Sequence, residues 1–207
     1  MEKLSKENIQ FIETYLNNSQ IHFEDVKIEL IDHVATAIEV RMNDGDQRDF
    51  YDIFKDYMVE HKAELMKRGG KSWDWDIFRS VSMQFVKSLI HWKVILGSIL
   101  SFFVLDQVYS LSYLESISQV ILPMVLLVIV GFIPIVIFGK RKFSFIGNFM
   151  VLLSILFFLN YYTMPFLVKP SFLYTANLIF LSVTFAGGVK TTLDLVSYYK
   201  NRLLAFS

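Results

Sequence analysis

The chain has 207 residues, of which 54% are apolar, and its 20 Lys and Arg balance its 20 Asp and Glu. Residues 1 to 93 carry 13 basic and 17 acidic side chains, a net charge of −4, whereas residues 94 to 207 carry 7 and 3, a net charge of +4. The acidic first part disfavours nucleic-acid binding, which requires a basic face, and the absence of cysteine excludes disulfides, Cys-based zinc sites and a thiol nucleophile.

Three amphipathic helices are predicted in the first third of the chain. Ser5 is an N-cap candidate for a helix over residues 6 to 17, and apolar residues at steps of three and four predict further helices over 22 to 42 and 49 to 67. Their apolar stripes predict a small cytosolic helical bundle over residues 1 to 70, because none of the three is apolar enough to leave water.

Residues 71 to 93 are predicted to form a juxtamembrane interfacial helix. Trp73, Trp75 and Trp92 recur there among Lys and Arg side chains. Indole rings with basic neighbours favour the headgroup region of a bilayer, so this segment joins the bundle to the first span.

Four membrane spans are predicted over residues 94 to 189. The clearest is Val120 to Phe138, nineteen consecutive residues without an ionisable side chain. At about 1.5 Å per residue such a helix matches the hydrocarbon thickness of a bilayer. Less uniform apolar stretches predict the other three spans, and residues 190 to 207 are predicted to be a cytosolic tail helix. The predicted fold is therefore all-α, a helical bundle followed by a four-helix transmembrane domain.

Basic residues predict the orientation of these spans. Lys and Arg are concentrated before the first span, between the second and third, and after the fourth. By the positive-inside rule, both termini are cytoplasmic in a bacterial inner membrane. The predicted interface anchors are Trp73, Trp75, Trp92, Lys140, Arg141, Lys142, Tyr161, Tyr162 and Lys190.

A carboxylate and histidine column on the second helix has two interpretations. Asp25, Glu29 and His33 are four residues apart and share one helix face. With His61 from the third helix they are candidate metal ligands, although two or three ligands on one helix do not make a closed site. The alternative is a solvated acidic edge beside a half-buried histidine. No metal and no cofactor is assigned.

Three polar side chains within the predicted spans are candidates for a functional or helix-joining role. Asp106 is the one acidic group, and ionisable groups at membrane depth are costly enough to suggest a functional role, although a position near the outer end lets the carboxylate reach headgroups. Asn148 and Asn177 are predicted to form hydrogen bonds between helices.

Catalytic signatures are missing from the sequence. There is no P-loop, no His-Glu-x-x-His and no Gly-x-Ser-x-Gly, and no histidine follows His91. The chain is therefore predicted not to be an enzyme, and no catalytic residue is assigned.

One segment resembles a known family. Ile28-Glu29-Leu30-Ile31-Asp32-His33-Val34 is followed by Gly45 and by an aromatic stretch from Phe50 to Phe54. This pattern, over roughly residues 5 to 66, resembles small bacterial helical prefix domains that precede multi-pass membrane segments and are associated in gene neighbourhoods with PadR-type transcriptional regulators. The resemblance implies a cytosolic interaction or regulatory domain tethered to a membrane, and implies no reaction.

Two functions remain open from the sequence. The favoured one is an inner-membrane regulatory or accessory protein whose bundle binds a cytosolic protein partner while the spans contact the lipid bilayer. The alternative is a channel, pore-forming effector or small transporter, which requires a homo-oligomer because four slender spans enclose little space.

Overall fold

The computed structural model describes residues 3–19, 21–46, 48–69, 74–110, 115–139, 141–163 and 172–206. These ranges contain eight α-helices and no strand, so the all-α prediction is confirmed. The helices are α1 Lys6–Asn17, α2 Glu24–Asn43, α3 Phe50–Gly69, α4 Trp75–Leu89, α5 Trp92–Ser110, α6 Glu115–Phe138, α7 Ser144–Thr163 and α8 Phe172–Phe206.

The chain divides into two compact units. Unit 1 contains Met1–Ser72, Arg141–Ser144 and Tyr199–Ser207, and unit 2 contains Trp73–Lys140 and Phe145–Tyr198. Unit 1 therefore joins three stretches that are far apart in sequence.

The first three helices supply the core of unit 1. Ser5 caps α1 as predicted, since its Oγ accepts a hydrogen bond from the Asn8 N–H at 3.2 Å. The predicted apolar stripes face inward, and side chains from all three helices have no exposed surface. These are Ile12, Leu16, Val34, Ile38 and Ile53.

An ionic turn connects α2 to α3. Gly45 has φ +99°, a left-handed conformation in which glycine avoids the steric cost of a Cβ. Beyond it, Arg48 donates hydrogen bonds to Asp46 at 2.8 Å and to Asp56 at 2.6 Å. The hydrogen bonds from Arg48 lower the pKa of Asp46 from 3.8 to about 2.

Unit 2 is built from apolar helices with a small central core and a wide apolar exterior. Its fully packed centre includes Leu105, Leu178 and Leu181. Many large apolar side chains point outward instead, among them Leu100 at 69% exposed and Val136 at 72% exposed. Exposed apolar surface on this scale is typical of a protein that contacts lipid or another protein.

By length and composition, one helix within the described residues is able to cross a membrane. It is Phe172–Leu203, and a second crossing results if the bent pair Trp75–Leu89 and Trp92–Val108 forms a single span. In the other two apolar helices, the stretches whose side chains are described, Leu122–Phe138 and Ser144–Asn160, are shorter. One candidate span supports membrane character, and the four-span prediction is not confirmed.

The helix boundaries show how the predicted interfacial and tail helices connect to the neighbouring apolar helices. α4 and α5 are separate helices, since the chain bends by 77° at the break between Leu89 and Trp92. The predicted tail helix is a continuation of the fourth apolar helix, because α8 runs without interruption from Phe172 to Phe206.

Candidate functional site

A buried carboxylate from α2 holds the start of α7. Asp25 is 2% exposed and Ser144 is 1% exposed. The Ser144 N–H donates to Asp25 Oδ1 at 2.8 Å, and the Ser144 hydroxyl donates to Asp25 Oδ2 at 2.6 Å. The first N–H groups of a helix have no intrahelical acceptor, and a negative charge there is favourable. Asp25 therefore caps α7 from a helix more than a hundred positions earlier in the sequence.

Three further contacts within unit 1 reinforce this junction. The Glu24 N–H donates to the Lys142 carbonyl at 2.8 Å, next to the Asp25 contact. The rings of Phe143 and Tyr199 lie 5.7 Å apart. Arg202 near the chain end forms an ion pair with Asp32 of α2. The segment Arg141–Ser144, called the basic link below, and the end of α8 therefore both contact α2.

The predicted metal-ligand column is divided between two environments. Asp25 is buried on Ser144, whereas Glu29 and His33 are exposed on α2. His61 Nε2 lies 3.6 Å from a Glu60 carboxylate oxygen, and its ring centroid lies 4.6 Å from that of Tyr57 in a tilted arrangement. Within the described ranges, no group of three or more His, Asp or Glu side chains is placed to hold a metal ion.

An aromatic groove lies on unit 1 between α1 and α3. Phe11 is central, since its ring centroid lies 5.2 Å from that of Phe54 and 5.8 Å from that of Tyr51, both in edge-to-face geometry. Phe11 is 39% exposed and Tyr51 is 56% exposed. The groove, of about 240 Å³, therefore presents rigid aromatic surface to solvent.

Two lysines border this aromatic groove. Lys55 and Lys62 are both exposed, and Lys62 Nζ lies 5.7 Å from the centre of the Tyr15 ring. No carboxylate occurs among the described residues that line the groove. This local positive character is notable because the first 93 residues carry a net charge of −4.

In unit 2, two asparagines pair between α7 and α8. Asn160 Nδ2 donates to Asn177 Oδ1 at 2.9 Å, and Asn177 Nδ2 reaches the Asn160 carbonyl at 3.4 Å. Both side chains are buried. Asn177 therefore bonds between helices in this structure. Its partner, Asn160, was not singled out from the sequence because it marks the end of an apolar run.

The other predicted polar positions differ from one another. Asn148 on α7 is completely buried, whereas Asp106 on α5 is partly exposed. A hydroxyl pair that the sequence did not indicate links α4 to α8, where Ser88 Oγ and Thr191 Oγ1 are 2.9 Å apart. Polar contacts in unit 2 thus involve neutral groups between helices.

The predicted interface anchors are described in part. Trp75 is 66% exposed and Trp92 is 61% exposed, as expected for side chains that meet headgroups. Arg141 and Lys142 are exposed, and Lys190 forms an ion pair with Asp194. Trp73, Lys140 and the side chains of Tyr161 and Tyr162 lie outside the described residues.

Comparison of this chain with protein-family models, curated proteins and solved structures finds no match.

Proposed function

We propose that the chain is an integral inner-membrane regulatory or accessory protein whose N-terminal helices bind a cytosolic protein. The proposal assigns it no reaction. The observation that carries it is the aromatic groove between α1 and α3, bordered by Lys55 and Lys62. Exposed aromatic side chains are enriched at protein–protein interfaces relative to the rest of a protein surface.

The groove favours one kind of partner. Its apolar floor fits two side chains from one face of an amphipathic helix, and Lys55 and Lys62 fit acidic residues beside them. We therefore take the partner to be a cytosolic protein with an exposed, acidic amphipathic helix.

The composition of unit 1 supports the proposed topology of four spans with both termini inside. The N-terminal helices, the basic link Arg141–Ser144 and the chain end Tyr199–Ser207 belong to one compact unit. The two intervening stretches, Trp73–Lys140 and Phe145–Tyr198, each leave unit 1 and return to it. Two helical hairpins that cross the bilayer and come back account for this arrangement.

The Asp25 cap supplies a route by which partner binding reaches the membrane segment. Asp25 belongs to α2, which packs against both α1 and α3, and it accepts two hydrogen bonds from Ser144, the first residue of α7. A displacement of α2 therefore acts directly on the N-terminus of α7.

The alternative of an oligomeric pore stays a prediction without a specific observation in its favour. A polar path through four slender spans needs side chains that face a shared lumen. Asn160 and Asn177 instead bond to each other between α7 and α8.

Photo-crosslinking in cells tests the proposed partner site. A photoreactive amino acid replaces Tyr51, which is 56% exposed at the groove. We expect an adduct with a discrete cytosolic protein, and we expect Lys55→Glu with Lys62→Glu to abolish it by repelling the acidic helix.

The matched control reverses the charge of two other exposed lysines, Lys6 and Lys67, by substitution with Glu. Neither residue lines the groove. This control variant is expected to retain the adduct. An adduct formed only with a second copy of the chain, or one that survives reversal of Lys55 and Lys62, contradicts the proposal.

A further inference from the structure

A groove runs between α5 and α8 of unit 2 and has a basic end. It has a volume of about 470 Å³ and is lined by apolar or small residues over most of its length, including Leu100, Val104 and Val189. Lys93 and Lys190 also line it. We propose that this groove binds one anionic phospholipid, with an acyl chain along α5 and the phosphate between Lys93 and Lys190. The inference rests on the proposed membrane location.

Small residues hold α5 and α8 close together at the base of the groove. A Cβ added at Gly97 would lie 3.4 Å from the Ala186 Cβ, which is the limit of comfortable contact. The larger side chains on either side, such as Leu100 and Leu193, form its walls. A narrow apolar groove of this kind accepts a flexible hydrocarbon chain at little cost in desolvation free energy.

The charge at the basic end matches a single phosphodiester. Lys190 forms an ion pair with Asp194, so its charge is already compensated. Lys93 forms no ion pair with a carboxylate in the part of the chain that the structure describes, and its Nζ lies 5.8 Å from the Trp92 ring centre. Lys93, Lys190 and Asp194 together carry one net positive charge, and one phosphodiester carries one negative charge.

A second groove on α5 provides an internal comparison. It is similar in size, about 390 Å³, and is lined by residues such as Ile95, Ile99 and Ile179. No charged residue lines it among the described residues. A bilayer chain fits either groove, but only the groove with Lys93 and Lys190 distinguishes headgroups by charge. Basic pockets between spanning helices on the cytoplasmic side are where anionic headgroups bind.

Native mass spectrometry of the full-length chain in detergent tests this site. The purified protein is titrated with phosphatidylglycerol and, separately, with phosphatidylcholine of the same acyl chains. We expect phosphatidylglycerol adducts to form at several-fold lower lipid concentration. Lys93→Gln should remove most of this preference, because one surface lysine contributes roughly fivefold, and Lys93→Glu should abolish it.

Two controls separate the site from general charge and from folding. Lys200→Gln removes an exposed lysine of unit 1 that does not line the groove, and it should leave the preference unchanged. Lys93 is exposed, so Lys93→Gln should keep the thermal unfolding midpoint of the parent chain.

Equal retention of the two lipids, or a preference that survives Lys93→Glu, overturns the inference. A dimer that excludes lipid from the groove also overturns it, since a second copy would then be the occupant. None of these outcomes affects the Tyr51 crosslink, so failure of this site and failure of the proposed function are distinguishable.

Discussion

The two units of this chain use different chemistry to join helices that are distant in sequence. In unit 1 the described side-chain hydrogen bonds between residues far apart in sequence involve a charged group, as in Asp25 with Ser144 and Asp32 with Arg202. In unit 2 such hydrogen bonds join neutral groups, as between Asn160 and Asn177. Close packing there also depends on glycine, as at Gly187. Water stabilises the ions of unit 1 when they are exposed. In a lipid environment, neutral and small groups between helices cost less free energy than charged groups do.

This comparison predicts that the largest loss comes from removing Asp25, a buried charge that caps a helix. Asp25→Ala removes the buried acceptor of the hydrogen bonds from the Ser144 N–H and hydroxyl, and should destabilise the chain by about 2 to 4 kcal/mol. Thermal unfolding of the detergent-solubilised protein measures this. Asp32→Ala is the matched control, because its ion pair with Arg202 is partly exposed and should cost about 1 kcal/mol or less. Equal losses would remove the distinction between a buried cap and a surface pair.

The next effect concerns close packing in unit 2. A Cβ at Gly187 would lie 2.6 Å from Leu89 Cδ2 and 3.1 Å from Phe85 Cε2. Gly187→Leu should therefore separate α4 from α8 and cost about 1 to 3 kcal/mol through overpacking, measured as a lower unfolding midpoint. Gly147→Leu is the control, since no atom lies within 4 Å of a Cβ there. A Gly187→Leu protein with an unchanged unfolding midpoint would show that stability does not require close contact between α4 and α8 at this position.

The asparagine pair should contribute less. A double-mutant cycle with Asn160→Ala and Asn177→Ala isolates their coupling, which we expect to be about 0.6 kcal/mol, the average for hydrogen bonds between helices in membranes. Additive single losses would mean that the two amides act independently despite their 2.9 Å contact.

The smallest effect is expected at the exposed turn of unit 1. The pKa of Asp46 is lowered from 3.8 to about 2 by Arg48, so its contribution to stability is present above pH 4 and is lost as the pH falls towards 2. Arg48→Gln should return the pKa of Asp46 towards 3.8, as seen by carbon NMR titration of the carboxyl group. An unchanged pKa would exclude Arg48 as the cause.

Local patterns predicted the helices well but predicted few of the contacts between them. α1 begins and ends where the Ser5 cap and the Asn17 break indicated, because both signals act within a few residues. Asp25 was grouped with Glu29 and His33 by its spacing, yet its partner is Ser144, 119 positions away. No periodicity carries that information. The sequence likewise shows that residue 187 is a glycine. It does not show that a larger residue is excluded there, because this depends on the packing of Leu89.

The central claim is that the N-terminal helices, the basic link and the chain end share the cytoplasmic side of the membrane. The chain contains no cysteine, so single-cysteine variants at Lys62, Arg141, Lys169 and Asn201 can be labelled with a membrane-impermeant maleimide in intact and permeabilised cells. We predict labelling at Lys62, Arg141 and Asn201 only after permeabilisation, and labelling at Lys169 in intact cells. Labelling of Lys62 and Arg141 from opposite sides of the membrane would contradict the account.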